Sequence, residues 1–125
     1  MLPWMLSGAT AAAQKTASDG VYADSQAARG QQLYGQQCAS CHGADLKGSG
    51  APVLAGAEFL DVWGTKPLAE LVEKIQVSMP SSAPGSLSRE QATDVVAFML
   101  KSNNLPAGST ELDSDAETLA TITIR

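Results

Sequence analysis

Cys38-Ala39-Ser40-Cys41-His42 sets two thiols three residues apart and follows the second directly with an imidazole. On a helical turn, residues i and i+3 lie on one side, so both sulfurs reach the same neighbouring object. Two adjacent vinyl groups on one porphyrin edge match that spacing, and the next side chain then projects over the ring plane toward iron. A thioredoxin-like dithiol would follow a strand in a βαβ pattern, whereas this pair closes a helical pattern. A structural zinc site needs four ligands, and the chain holds two cysteines and one histidine in all. The motif therefore predicts one haem, haem c, attached through Cys38 and Cys41 with His42 on the iron.

Outward from the motif, the N-terminal side reads as a helix beginning near Ser25. Gly30, Tyr34, Cys38 and Cys41 form one stripe with Leu33 beside it, and Gly43 closes the helix after His42. Residues 43–66 carry five glycines and Pro52 and read as a loop with apolar anchors at Val53, Leu54, Phe59 and Trp63. A second helix is predicted from Pro67 to Val77. Pro67 suits its first turn, and Leu68, Leu71, Val72 and Ile75 form its buried stripe. The third helix starts with the capping-box pair Ser88 and Gln91, buries Ala92, Val95, Val96 and Met99, and ends at Asn103 and Asn104.

A second iron ligand would close the open haem face and favour outer-sphere electron transfer. Met99 lies inside the stripe of the third helix and reads as core. Met79 continues the stripe of the second helix, so core packing is its plain alternative. Pro80 distinguishes it, because a residue before proline is pushed out of the helical region. The helix must end there, freeing the thioether to turn toward the iron; sulfur as a ligand raises the reduction potential.

The chain has 125 residues, 44% of them hydrophobic but only 5% aromatic, which suits a small core completed by a large flat cofactor. A net charge of −5 opposes nucleic-acid binding and favours partners with a basic patch. Residues 1–13 read as the rear of a signal peptide: an apolar start, then Ala11-Ala12-Ala13 before Gln14, without a basic n-region. An apolar start of a cytosolic protein is the alternative. No other stretch approaches a membrane span of about 20 apolar residues. Residues 14–24 read as a flexible leader, 25–104 as the folded domain, and 105–125 as an acidic tail, either a surface strap or a docking element.

These features together resemble the class I cytochrome c family. The residues that carry the likeness are Gly30, Tyr34, Cys38 through Gly43, Ala51-Pro52-Val53-Leu54, Ser78-Met79-Pro80 and Phe98 on the last helix, over residues 25–104. The resemblance implies an all-α fold with three main helices and haem-enclosing loops, the first and last helices crossing near Gly30 and Phe98. It also implies that the Pro52 carbonyl accepts a hydrogen bond from His42. Trp63 is similar to a tryptophan that binds a haem propionate, with loop packing as its alternative. More narrowly, Phe59-Leu60-Asp61-Val62-Trp63, Ser78-Met79-Pro80 followed by Pro84-Gly85, and Leu105-Pro106-Ala107-Gly108 are similar to haem domains associated with PQQ-dependent alcohol and sugar dehydrogenases.

The leading expectation is a periplasmic electron carrier, not itself an enzyme. It would work between a dehydrogenase (a PQQ-dependent one being implied by the narrower likeness) or a respiratory complex and a terminal oxidase. A haem subunit docked on such a dehydrogenase is a second reading, with the acidic tail as its docking element. A peroxidase or gas-sensing haem with an open iron face is a third, and it requires that Met79 not ligate.

Overall fold

A computed structural model describes residues 15–48 and 50–125. The signal-peptide reading of residues 1–13 lies outside them.

Helix α1, Asp24–Gln37, begins after the extended Ala23, with Asp24 in its first turn complementing the positive helix end. The sequence predicts one helix through His42, and the structure breaks it at Cys38, whose φ of −125° leaves the helical range. Cys38 N–H still donates to Tyr34, while its own carbonyl accepts from Cys41 and His42. A new turn therefore starts there, and the motif occupies its own short helix α2, Ala39–His42. Gly43 ends α2 with φ +88°, a value that glycine takes without strain, and donates to the Ala39 carbonyl at 2.8 Å.

Helix α3, Ala57–Trp63, lies within the stretch read as loop. Its flanking glycines, Gly56 and Gly64, punctuate the sequence and here serve as its caps. Seven residues are too few to show a clear helical period. Helix α4, Leu68–Ser78, buries Leu68, Leu71, Val72 and Ile75 as the stripe predicts. Pro67 stands one position earlier than expected, as the extended N-cap with ψ 144°. Helix α5, Arg89–Ser102, opens on the predicted capping box: Gln91 N–H donates to Ser88 Oγ at 3.1 Å, and Ser88 N–H to Gln91 Oε1 at 2.9 Å.

The helix crossing fixes the frame. A methyl group on Gly30 of α1 would run into the Asp94 carbonyl of α5 and lie 3.1 Å from Phe98 Cβ. One turn on, the rings of Tyr34 and Phe98 meet with centroids 5.3 Å apart and planes tilted by 49°.

The first and last described segments pack together. Strand β1, Lys15–Thr16, pairs in parallel with β2, Ile122–Thr123, and Lys15 N–H donates to the Thr121 carbonyl at 2.9 Å. Residues 15–24, which composition reads as a flexible leader, are thus built into the fold, with Ala17 and Tyr22 buried. The Tyr22 hydroxyl donates to the Leu105 carbonyl at 2.6 Å, and Gly108 N–H donates back to the Tyr22 carbonyl at 2.6 Å. Beyond them, residues 105–125 run as a strap that buries Leu112, Leu119, Ile122 and Ile124 and includes the short helix α6, Ala116–Leu119. Two-residue strands leave the architecture all-α.

The strap is tied at its middle by Gln26. Its Nε2 donates to the Leu112 carbonyl at 3.0 Å and its Oε1 accepts from Leu112 N–H at 2.7 Å, both buried. The side-chain amide thus pairs with both main-chain groups of one residue, as a neighbouring strand would. Outside it, Arg29 holds Asp94 at 3.2 Å and Glu111 at 2.6 Å, which keeps its guanidinium protonated and lowers the Glu111 carboxyl.

Candidate functional site

The one-turn helix α2 delivers the motif's side chains together. Cys38 is half-buried against the core, and that burial pushes its thiol up; Cys41 on the same turn is exposed. His42 is only 8% exposed, and its Nδ1 lies 2.8 Å from the carbonyl of the exposed Pro52. A carbonyl can only accept, so this contact makes Nδ1 the protonated nitrogen and leaves the lone pair on Nε2. The ring therefore presents a ligand atom in a fixed orientation.

The main chain behind the ring is held from several sides. The His42 carbonyl accepts from Gly48 N–H at 2.7 Å, and the Gly43 carbonyl accepts from Leu46 N–H at 3.1 Å. The Tyr34 hydroxyl also donates to Gly43 O at 2.6 Å. Tyr34 is itself raised to about 12, first by burial and then by Cys38 and Asp45. Leu54 N–H closes the loop onto the Leu46 carbonyl at 2.8 Å. Leu46 is buried at φ +63°, a conformation that a non-glycine residue holds only where its surroundings enforce it.

Cys38, Cys41, His42 and Pro52 thus form one connected group. Met79 and Trp63 stand half-buried on the apolar core on which Cys38 also packs. Met79 caps the end of α4 in extended geometry (φ −118°, ψ 153°), as Pro80 requires, and its N–H completes the helix on the Ile75 carbonyl. Trp63 ends α3, and its ring has Lys66 Nζ 5.9 Å from its centroid. Met99 is buried in α5, as its place in the stripe predicts.

The donor set fits haem c. Two thiols share one turn, and an imidazole beside them has its outer nitrogen fixed and its inner one available. Among the described residues no group of three or more His, Cys, Asp or Glu side chains gathers that could cage a metal ion. The stripe places Tyr34 without its hydrogen bond, and the helix-stop pattern places Asn103 without its side-chain bonds. Neither role has a sequence signal, because both partners are main-chain groups brought close by the fold.

Residues 25–99 match the family described as cytochrome c oxidase, cbb3-type, subunit III. A thiosulfate dehydrogenase of Stutzerimonas stutzeri (strain A1501) is 36% identical over 81 residues, which cover 58% of this chain and 26% of that protein. The chain therefore matches about a quarter of the length of that relative. The crystal structure of the sulfane dehydrogenase SoxCD from Paracoccus pantotrophus superposes with a TM-score of 0.52 at 27% identity, over 83% of this chain and 59% of that one. Each of the two is named a dehydrogenase, and in each the likeness extends over only part of the protein. A helical frame built on the Gly30 crossing, a Cys-x-x-Cys-His turn and a match over most of the domain agree: the chain belongs to this family of c-type cytochrome domains, with haem c as its cofactor and electron transfer as its role.

Proposed function

We propose that the chain is a periplasmic monohaem cytochrome, passing single electrons from a dehydrogenase or respiratory complex to a terminal acceptor. Cys38 and Cys41 would hold the haem covalently through their sulfurs. His42 Nε2 and Met79 Sδ would be the groups that bind its iron. The bound haem supplies a one-electron Fe(III)/Fe(II) couple.

The observation that carries this reading is the His42–Pro52 hydrogen bond at 2.8 Å. It makes the imidazole a more basic ligand and stops its rotation, so little reorganisation accompanies each electron. Extended Met79 supports a second ligand, since the chain leaves the helical path there, where α4 stops. The chain's only histidine is thereby engaged in ligation, and electron relay asks no acid–base group of the protein. The small-residue site at Ala11-Ala12-Ala13 supports export. Among the described residues no helix is long and apolar enough to cross a membrane.

For the partner, the two relatives' names support a dehydrogenase as electron source. The phrases at 59–63 and 105–108 favour the PQQ-dependent type. A second reading, a haem subunit docked on its dehydrogenase, is favoured by the partial length over which this chain matches both relatives.

The ferric absorption spectrum of the holoprotein tests the ligand set. A methionine–iron charge-transfer band that vanishes in Met79→Ala is expected. A high-spin or five-coordinate spectrum in the unaltered protein would replace the carrier with an open-iron peroxidase or gas sensor.

A further inference from the structure

Asn103 ends α5, but that task needs none of its side-chain bonds. Its Nδ2 donates to the Met99 carbonyl at 2.8 Å and to the Leu54 carbonyl at 3.1 Å, while its Oδ1 accepts from Gly56 N–H at 2.9 Å. One primary amide thus uses both its hydrogens and its oxygen. The bond to Met99 stays within the helix; the other two reach 47 and 49 residues back along the chain.

Those two bonds grip the segment that leaves the His42 loop. Leu54 N–H is already committed to the Leu46 carbonyl, so Asn103 fixes the same residue from its other peptide group. Pro52, two residues earlier, supplies the carbonyl that faces His42 Nδ1. Pro52 itself is exposed, with its neighbours Ala51, Val53 and Leu54 only half-buried, so packing alone leaves that carbonyl free to drift. The rigid reference is the C-terminus of α5, reached through Asn103.

We infer that Asn103 is a positioning residue for the His42 imidazole, acting through the Leu54–Gly56 main chain on the Pro52 carbonyl. This rests on His42 being the iron ligand. Without the amide, the 54–56 segment loosens, the Nδ1–H···O=C bond opens more often, and the imidazole becomes a less basic ligand. A less basic ligand favours Fe(III) less and moves the potential in the positive direction.

The test compares the holoprotein with Asn103→Ala and with Gln26→Ala, which weakens the strap on Leu112 and serves as the stability control. The readouts are hydrogen exchange of the His42 Nδ1 proton by NMR and the midpoint potential. Exchange in N103A is expected to rise about tenfold above Q26A, the consequence of losing two hydrogen bonds to the loop, together with a positive potential shift absent from Q26A. A difference between the two variants below about threefold, or equal potentials, would overturn the inference. If N103A does not retain haem, Asn103→Ser is judged by the same threshold. Failure of the ligand reading is separate and visible in the unaltered protein, as a spectrum without low-spin histidine ligation.

Discussion

The backbone of Gly30 lies against the carbonyl of Asp94 so closely that no methyl group fits between them. The contact lets α1 and α5 cross near their middles, which brings Tyr34 onto Phe98 and sets the turn carrying Cys38, Cys41 and His42 at the end of α1. A sequence feature one atom in size thereby places the Cys-x-x-Cys-His turn.

Gly30→Ala should therefore destabilise the holoprotein by about 3 kcal/mol or more, since the obstacle is main chain and cannot rotate away. Gly35, on the same helix with nothing within 4 Å of an added methyl, is the comparison. Gly35→Ala should be neutral or stabilising by up to about 1 kcal/mol through helix propensity. Denaturant midpoints at constant m-value decide it; equal midpoints for the two variants would mean that the helices can part freely.

What was legible before the structure follows from which interactions are local. The stripe on α4, the Ser88–Gln91 box and the break forced by Pro80 are properties of neighbouring residues, and each is found where the pattern places it. The Cys-x-x-Cys-His turn is local as well. The break at Cys38, the helix between Gly56 and Gly64, and the pairing of Lys15–Thr16 with Ile122–Thr123 are not. Polar composition around Asp19 and Asp24 suggests a loose leader, yet Ala17 and Tyr22 are buried, and the Tyr22 hydroxyl finds its partner more than eighty positions away. Gln26 and Asn103 read as ordinary polar residues because their partners are peptide groups, which have no letter in the sequence.

Tyr34 predicts a pH dependence. Its folded value is raised to about 12 from 10.0, chiefly by burial, with smaller contributions from Cys38 and Asp45. A raised phenol is stabilising while both states are protonated, and the benefit is lost as pH climbs from the unfolded value through the folded one. Stability should therefore fall between about pH 10 and 12, and Tyr34→Phe should flatten that decline while Tyr22, also raised by burial, preserves part of it. The same substitution leaves the Gly43 carbonyl without its hydroxyl donor, which costs about 1 kcal/mol at neutral pH. Denaturation midpoints across that alkaline range are the measurement; parallel curves for parent and variant would count against the assignment.

Pro52→Ala separates the backbone role of this residue from its ring. The His42 bond is made to the carbonyl, which alanine retains. The histidine-ligation spectrum should be unchanged, and stability should drop by only about 1 kcal/mol, the entropy of a freer unfolded chain. A changed ligation spectrum would show that the ring itself, and not only its carbonyl, holds the imidazole.

The strap makes the last prediction. Gln26→Ala leaves both peptide groups of Leu112 buried without their side-chain partner, an expected loss of about 2–3 kcal/mol. Because Arg29 still holds Glu111, and β2 still pairs with β1, the damage should stay near Leu112 rather than spread along the tail. Amide exchange should accelerate at Leu112 and remain slow at Thr16 and Thr123. Deleting residues 120–125 should do the reverse: it removes Ile122, Ile124 and the partner of Lys15–Thr16, freeing the N-terminal segment as well. Exchange that rises uniformly along the strap in Q26A would mean that it detaches as one unit, with Gln26 as its single latch.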